Sequence, residues 1–258
     1  MIEGPDAHIR FAEQFHGRYA GRAVIAFDNT DHRRNEDLSL SLLSSLGTVL
    51  SVYPSTGPWS DLAVRTEVDP GRTHGVGENR LHIDMVDRER TPRVIALYCV
   101  RDDPCGGGAS ALADMWTAIT SLSSEDRRVL EQCVYSYWSD EGVHGVGRSL
   151  ERFAIVPERL EAGFPVRFTS KMGPHLDKGE LVDTAHVPAT QAAAAFARLT
   201  DAVYAERVTY RLRPGQLLVW DQQRHAHGRM PLGEGQDQVP EDSRRLFHQT
   251  YVTEGAAR

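Results

Sequence analysis

His82 and Asp84 lie two residues apart between the apolar neighbours Leu81, Ile83 and Met85, and His227 sits far downstream, just before Gly228-Arg229. In an extended strand, residues i and i+2 face the same side, so the imidazole and the carboxylate would converge on one point. A third group at that point must come from the opposite end of the chain. That closure is simple in a jelly roll, where the second and seventh core strands are neighbours. A lone H-x-D is weak, because short motifs recur by chance. Joined by a distant histidine, it makes a facial set of two imidazoles and one carboxylate. Such a set leaves positions open on Fe(II) and suits oxygen activation. Three ligands without a fourth protein donor also look unlike a structural zinc site.

The remaining pattern agrees with that closure. Phe11, Phe15 and Tyr19 recur every fourth residue and predict a helix over about 8–20. Arg22–Phe27 reads as a buried strand, and Glu36–Leu46 as a helix stopped by Gly47. Val94–Val100 predicts a core strand. Ala111–Leu122 looks helical, and Ser123 with Asp126 resembles a capping box opening a second helix towards Cys133. Pro188–Tyr204 is an Ala-rich helix. Strands return at Arg207–Leu212, at Gln216–Trp220 after the Pro214-Gly215 turn, and at Arg245–Val252. Strands at both ends with helices between do not make a βαβ alternation. They predict an α+β fold, a double-stranded β-helix (jelly roll, cupin-like) core flanked by helices, as a single domain over 1–258. The Gly-rich stretch from about 136 to 187 reads as an insertion of the kind that forms a lid or a substrate wall, with a strand at Val166–Ser170.

Bulk properties narrow the function. A net charge of -7 over 258 residues, with no basic run, argues against a nucleic-acid binder. There is no long apolar stretch, so no membrane association is expected. The start Met1-Ile-Glu-Gly-Pro-Asp6 lacks the regions of a signal peptide, and the expected location is the cytoplasm. Cys99, Cys105 and Cys133 are too few and too irregular for a disulfide framework, although a pairing of two of them stays open.

Three blocks carry a resemblance to a known family. The first is LHIDMVDRERTPRVIALYCVRDDPCGGGASALAD, Leu81 to Asp114. The second is PGQLLVWDQQRHAHGR, Pro214 to Arg229. The third is RRLFHQTYV, Arg244 to Val252. In order and spacing they resemble the taurine dioxygenase-like and clavaminate synthase-like Fe(II)/2-oxoglutarate dioxygenases. The resemblance implies that His82, Asp84 and His227 bind iron, with His225 a rival for the third place. It implies that Arg245, in preference to Arg244, holds the far carboxylate of 2-oxoglutarate, since a guanidinium gives a carboxylate two parallel hydrogen bonds. Ser110 matches a Ser/Thr that bonds the same group. Leu232–Asp242 reads as a polar loop that lengthens the gap before Arg245.

Two positions depart from the family pattern. Gln222 stands where Asn is common, and Gln249 where a second basic residue is common. Neither is expected to touch a metal ligand. The other histidines, including His74, His144, His175 and His248, lack ligand spacing.

The implied cofactors are Fe(II), 2-oxoglutarate as cosubstrate, and O2. The implied reaction is oxidation of an unactivated C–H, with succinate and CO2 released. A carboxylate at Asp84 argues against halogenation, for which related enzymes leave that position small. The expected substrate is a small molecule, an amino acid or related metabolite, free or carrier-tethered. Glu78, Asn79, Arg167, Thr169, Arg224 and Arg229 are candidates to line its pocket. Rival readings are a cupin-type metal oxygenase that does not use 2-oxoglutarate, and a non-catalytic jelly-roll binding protein.

Overall fold

A computed structural model describes residues 7–28, 30–52, 57–138, 147–161 and 164–254. The strands in chain order are β1 (Arg22–Ala26), β2 (Thr48–Leu50), β3 (Ser60–Ala63), β4 (Asn79–His82), β5 (Val94–Arg101), β6 (Ser110–Asp114), β7 (Arg207–Tyr210), β8 (Gln216–Asp221), β9 (His225–Arg229) and β10 (Leu246–Thr253). The helices are α1 (Ala7–Phe15), α2 (His32–Leu43), α3 (Met115–Ser121), α4 (Ser124–Leu130), α5 (Gly173–Leu176) and α6 (Ala189–Ala205). One sheet has the order β1-β8-β5-β10-β2, with β3 on the same edge of β10 as β2. The second has the order β4-β9-β6-β7. Every pairing is antiparallel.

Period-two alternation builds the layers. Ile95, Leu97 and Cys99 of β5 point inward with Leu218, Trp220, Phe247 and Tyr251, and they meet Leu112 of the second sheet. Val94, Ala96 and Tyr98 point outward, where Phe11, Phe15 and Leu43 of α1 and α2 cover them. The second sheet turns Leu81, Ala111, Ala113 and Ala226 outward against Met115, Ile119, Leu130, Phe196 and Leu199 of α3, α4 and α6. The result is helices, sheet, sheet, helices, the jelly-roll core predicted from sequence. Each fully buried large apolar side chain stabilises it by roughly 1.5–3 kcal/mol.

Several local expectations are corrected. Ser110–Asp114 is strand β6, hydrogen-bonded to β7 and β9, so the helix expected over Ala111–Leu122 does not start at Ala111. The helix begins only at Met115, after Asp114 caps it by accepting from the N–H groups of Trp116 and Thr117. Val166–Ser170 forms no strand. Residues 166–169 lie beside β4, with one bridge from Thr169 to His82 and the Ile83 N–H donating to the Phe168 carbonyl at 2.8 Å, and Ser170 opens a short 3-10 turn. The first helix stops at Phe15, and α2 starts at His32 behind an Asp31 cap and ends at Leu43. The Ser123 cap is as predicted, accepting from the Asp126 N–H.

Within 136–187, Phe153, Ile155, Val156, Val166, Phe168, Met172 and Leu176 are buried in the helix-side core. Those parts are packed structure and not a detached flap. Residues 139–146, with His144, and 162–163 lie outside the described residues. The three cysteines are unpaired, and burial pushes the Cys99 thiol up to about 12.

Candidate active site

β4 and β9 are neighbours, and the register sets His82 directly opposite His227. Gly228 permits this. A Cβ there would lie 2.6 Å from the Asn79 carbonyl oxygen, so any larger residue would push β4 away. The strand predicted to carry both His82 and Asp84 ends at His82, and Asp84 lies in the turn that follows. The groups still converge. Asp84 Oδ1 lies 3.3 Å from His82 Nε2 and 3.5 Å from His227 Nε2. The three ligand atoms fall within 4.8 Å of one another, the one such His/Cys/Asp/Glu cluster among the described residues.

His82 Nδ1 lies 2.7 Å from the Arg80 carbonyl oxygen. A ring bonded there donates its Nδ1–H and turns the Nε2 lone pair towards Asp84, the tautomer a metal needs. Burial, then the neighbouring His227, lowers the pKa of His82. Burial alone would raise that of Asp84, but the two histidines hold it well below the usual carboxylate range. Two imidazole nitrogens and one carboxylate oxygen fit a divalent ion of borderline softness such as Fe(II).

Beside this cluster a cavity of about 840 Å³ opens between the sheets. One row along from the histidines, Ser110, Arg229 and Asn79 are register partners across β6, β9 and β4. Arg245, from the residue just before β10 of the opposite sheet, also lines the cavity and is 4% exposed. Its guanidinium carbon sits 3.8 Å from the Phe247 ring centroid, and the end of its aliphatic stem packs on Gly108, where a Cβ would lie 3.2 Å from Arg245 Cδ. Burial, then Arg229, pushes Arg245 down to about 9.

Arg245 Nε, Ser110 Oγ, and Arg229 Nε and Nη1 are all buried without a hydrogen-bond partner in the protein. Buried polar atoms are rarely left so, and buried guanidinia need an anion. A carboxylate at this end of the cavity would answer all of them. The 2-oxoglutarate carboxylate fits that demand, and its 2-oxo acid end would then face the histidines.

The sequence candidates divide. His82, Asp84, His227, Ser110, Arg245, Asn79 and Arg229 all line the cavity. The rival His225 does not. It is fully buried beside β6, with Nδ1 3.3 Å from the Asp221 carbonyl oxygen, outside the cluster. Three proposed pocket residues lie elsewhere. Arg224 pairs with Asp114, Arg167 donates to the Val86 and Arg88 carbonyls, and Glu78 pairs with Arg207. Thr169 supports the backbone beside His82 and is not part of the wall.

The sequence reading also missed groups. Trp59, Arg65, Arg72 and Lys171 line the cavity from segments without a motif. The expectation that Gln222 and Gln249 touch no ligand was wrong, because both bond to Asp84.

Known proteins place this architecture. Residues 4–251 match the family described as taurine catabolism dioxygenase TauD, TfdA family, and the chain belongs to it. No curated protein matches the sequence. An asparagine oxygenase, solved in complex with Fe(II), 2S,3S-3-hydroxyasparagine and succinate, superposes with a TM-score of 0.74. The identity is 18%, over 97% of this chain and 80% of that one. The non-heme iron oxygenase OrfP, in complex with Fe and alpha-ketoglutaric acid, gives 0.72 at 20% identity, over 96% and 80%. The same oxygenase with Fe and L-Arg gives 0.68 at 19%, over 96% and 80%. At these identities the likeness establishes the shared fold.

Proposed function

We propose that the protein is an Fe(II)- and 2-oxoglutarate-dependent oxygenase that hydroxylates an amino acid or an amino-acid-derived metabolite. The observation that carries the reading is one cavity with two ends: a His82–Asp84–His227 cluster, and beside it the unsatisfied buried donors of Arg245 and Ser110. A cupin-type oxygenase without 2-oxoglutarate has no need of that second end.

Bound Fe(II), 2-oxoglutarate and O2 supply the oxidant for an unactivated C–H, with succinate and CO2 as co-products. The chain's residues do the rest. His82 and His227 would give their Nε2 atoms to the metal, and Asp84 contributes the negative charge. Arg245 and Ser110 take the far carboxylate and so fix the orientation of the cosubstrate. Trp59, Arg65 and Arg72 line the same cavity and would flank a substrate brought to the cluster. Their chemistry, an apolar ring and two cations, suits a small molecule with a carboxylate. The amino-acid ligands of the asparagine oxygenase and OrfP structures support the same class.

The test is a screen for substrate-stimulated succinate. Iron-loaded protein, 2-oxoglutarate and O2 are mixed with the free amino acids and with carrier-bound aminoacyl thioesters. At least one raises succinate well above the uncoupled rate, with a product heavier by one oxygen atom. Equal succinate throughout, even for acids that bind, removes the amino-acid reading.

A further inference from the structure

Asp84 is held by more than its own strand. β4 ends at His82, and Met85, just after Asp84, has φ 58°, in the left-handed region that residues with a side chain seldom occupy. Strand pairing therefore does not set the direction of the Asp84 carboxylate. Three side chains from elsewhere surround it. Gln222 is fully buried in the β8–β9 turn. Its Oε1 accepts the Asp84 N–H at 3.0 Å, and its Nε2 donates to the Pro92 carbonyl at 2.6 Å. On β10, Gln249 Nε2 donates to Asp84 Oδ2 at 3.1 Å, and the Tyr251 hydroxyl donates to the same oxygen at 2.9 Å. Gln249 and Tyr251 are i and i+2 on one strand, so they approach from one face.

The two oxygens of Asp84 are thereby divided. Oδ2 carries two donors, and Oδ1 faces both imidazoles. The two glutamines stand at the positions where this chain departs from the motif it resembles, which has Asn and a basic residue there. A cation at position 249 would compete with a metal for the charge of Asp84. The neutral amide and hydroxyl orient the carboxylate without neutralising it.

We propose that Gln249 and Tyr251, with Gln222 behind the backbone, are positioning residues that fix Asp84 as a one-oxygen ligand through Oδ1. This rests on the oxygenase reading above. With Oδ2 taken up by two donors, Asp84 would offer a metal Oδ1 alone, leaving more of the ion's coordination open to a bidentate cosubstrate.

Co(II) reports this without turnover. Metal-free wild type, Gln249→Leu, Tyr251→Phe and Gln249→Lys are compared by Co(II) binding isotherms, by the visible Co(II) spectrum, and by far-UV circular dichroism before metal is added. Partners of this kind are typically worth about 10–100-fold in metal affinity. The expected result is native apo circular dichroism for Tyr251→Phe and Gln249→Leu, Co(II) affinity lower by about 10-fold or more, and an altered Co(II) spectrum. Gln249→Lys is also expected to bind more weakly, although it keeps a donor. If the first two variants fold and bind Co(II) within about twofold of wild type with an unchanged spectrum, well short of that range, the clamp is overturned. Lys at 249 with wild-type affinity overturns the argument from neutrality. Should Gln249→Leu fail to fold, Tyr251→Phe, which removes one oxygen, decides alone. A folded wild type that binds no Co(II) overturns the oxygenase reading itself, which separates the two failures.

Discussion

At the scale of single residues, His225 and His227 show how position decides chemistry. They share one face of β9, yet His227 reaches the cavity and His225 is sealed beside Asp114, Arg224 and the Asp221 carbonyl. Burial outweighs the nearby Asp114 and pushes His225 from 6.5 down to about 4. The sign follows from proton linkage. Between pH 6.5 and about 4 the unfolded chain binds a proton at this site and the folded chain does not. The stability is fully present above pH 6.5 and is lost as pH falls towards 4, by up to about 3 kcal/mol. Urea unfolding of metal-free protein at pH 7.5, 5.5 and 4.5, with His225→Gln alongside, checks this. The variant keeps Co(II) binding and loses part of the acid sensitivity; an identical pH dependence in both proteins contradicts the assignment.

The His82–Asp84–His227 cluster was legible in the sequence, because H-x-D and H-G-R have fixed local spacing. Arg245 was found through the resemblance of the RRLFHQTYV block, Arg244 to Val252. The cavity wall was not found. Arg65, Arg72 and Lys171 belong to segments whose positions depend on tertiary contacts and not on periodicity. Gln222 and Gln249 were visible as departures from a pattern, but their shared contact with Asp84 needs the β8–β9 turn and β10 to be placed in space.

At the scale of elements, the β4–β9 pair carries two of the three candidate ligands, and Gly228 sets how closely those strands lie. Gly228→Ala would drive a methyl group to 2.6 Å from the Asn79 carbonyl oxygen, on a backbone that cannot move aside cheaply. Overpacking of this kind costs about 1–3 kcal/mol. Because the shift separates His82 from His227, it should weaken Co(II) binding more than an equally destabilising Ser123→Ala at the distant α4 cap. Thermal melts and Co(II) isotherms on both variants test this, and equal metal affinity in the two would show that strand spacing does not control the site.

The β6 misreading has the same origin. Ala111-Leu112-Ala113 favours helix locally, but β7 and β9 both offer unpaired backbone groups, and pairing with them wins. The small side chains at 111 and 113 serve the other face, where the helical layer packs on the sheet. Local propensity described that contact surface and missed the backbone state. The α4 cap and α6 were read correctly, since their signals, a Ser-x-x-Asp box and an Ala-rich apolar stripe, are local.

For the whole molecule, two sheets face each other and each wears helices on its outside, so the space between them is both core and site. Trp220, Leu218 and Leu97 fill one part of it, and the cavity with Asp84 and Arg245 occupies another. His82, His227 and Ser110 come from the second sheet, on β4, β9 and β6, and Arg245 comes from the first, just before β10. The jelly roll thus closes the pair of sites through the distance between its sheets. In the proposed oxygenase the His82–Asp84–His227 cluster and Arg245 act together on one cosubstrate.

One measurement tests that directly: the visible spectrum of metal-free protein mixed anaerobically with Fe(II) and then with 2-oxoglutarate, for wild type, His227→Ala and Arg245→Ala. A weak charge-transfer band in wild type that is lost in His227→Ala and reached only at much higher 2-oxoglutarate in Arg245→Ala is the predicted result. Iron binding without any such band in wild type, or a band indifferent to Arg245, would contradict it.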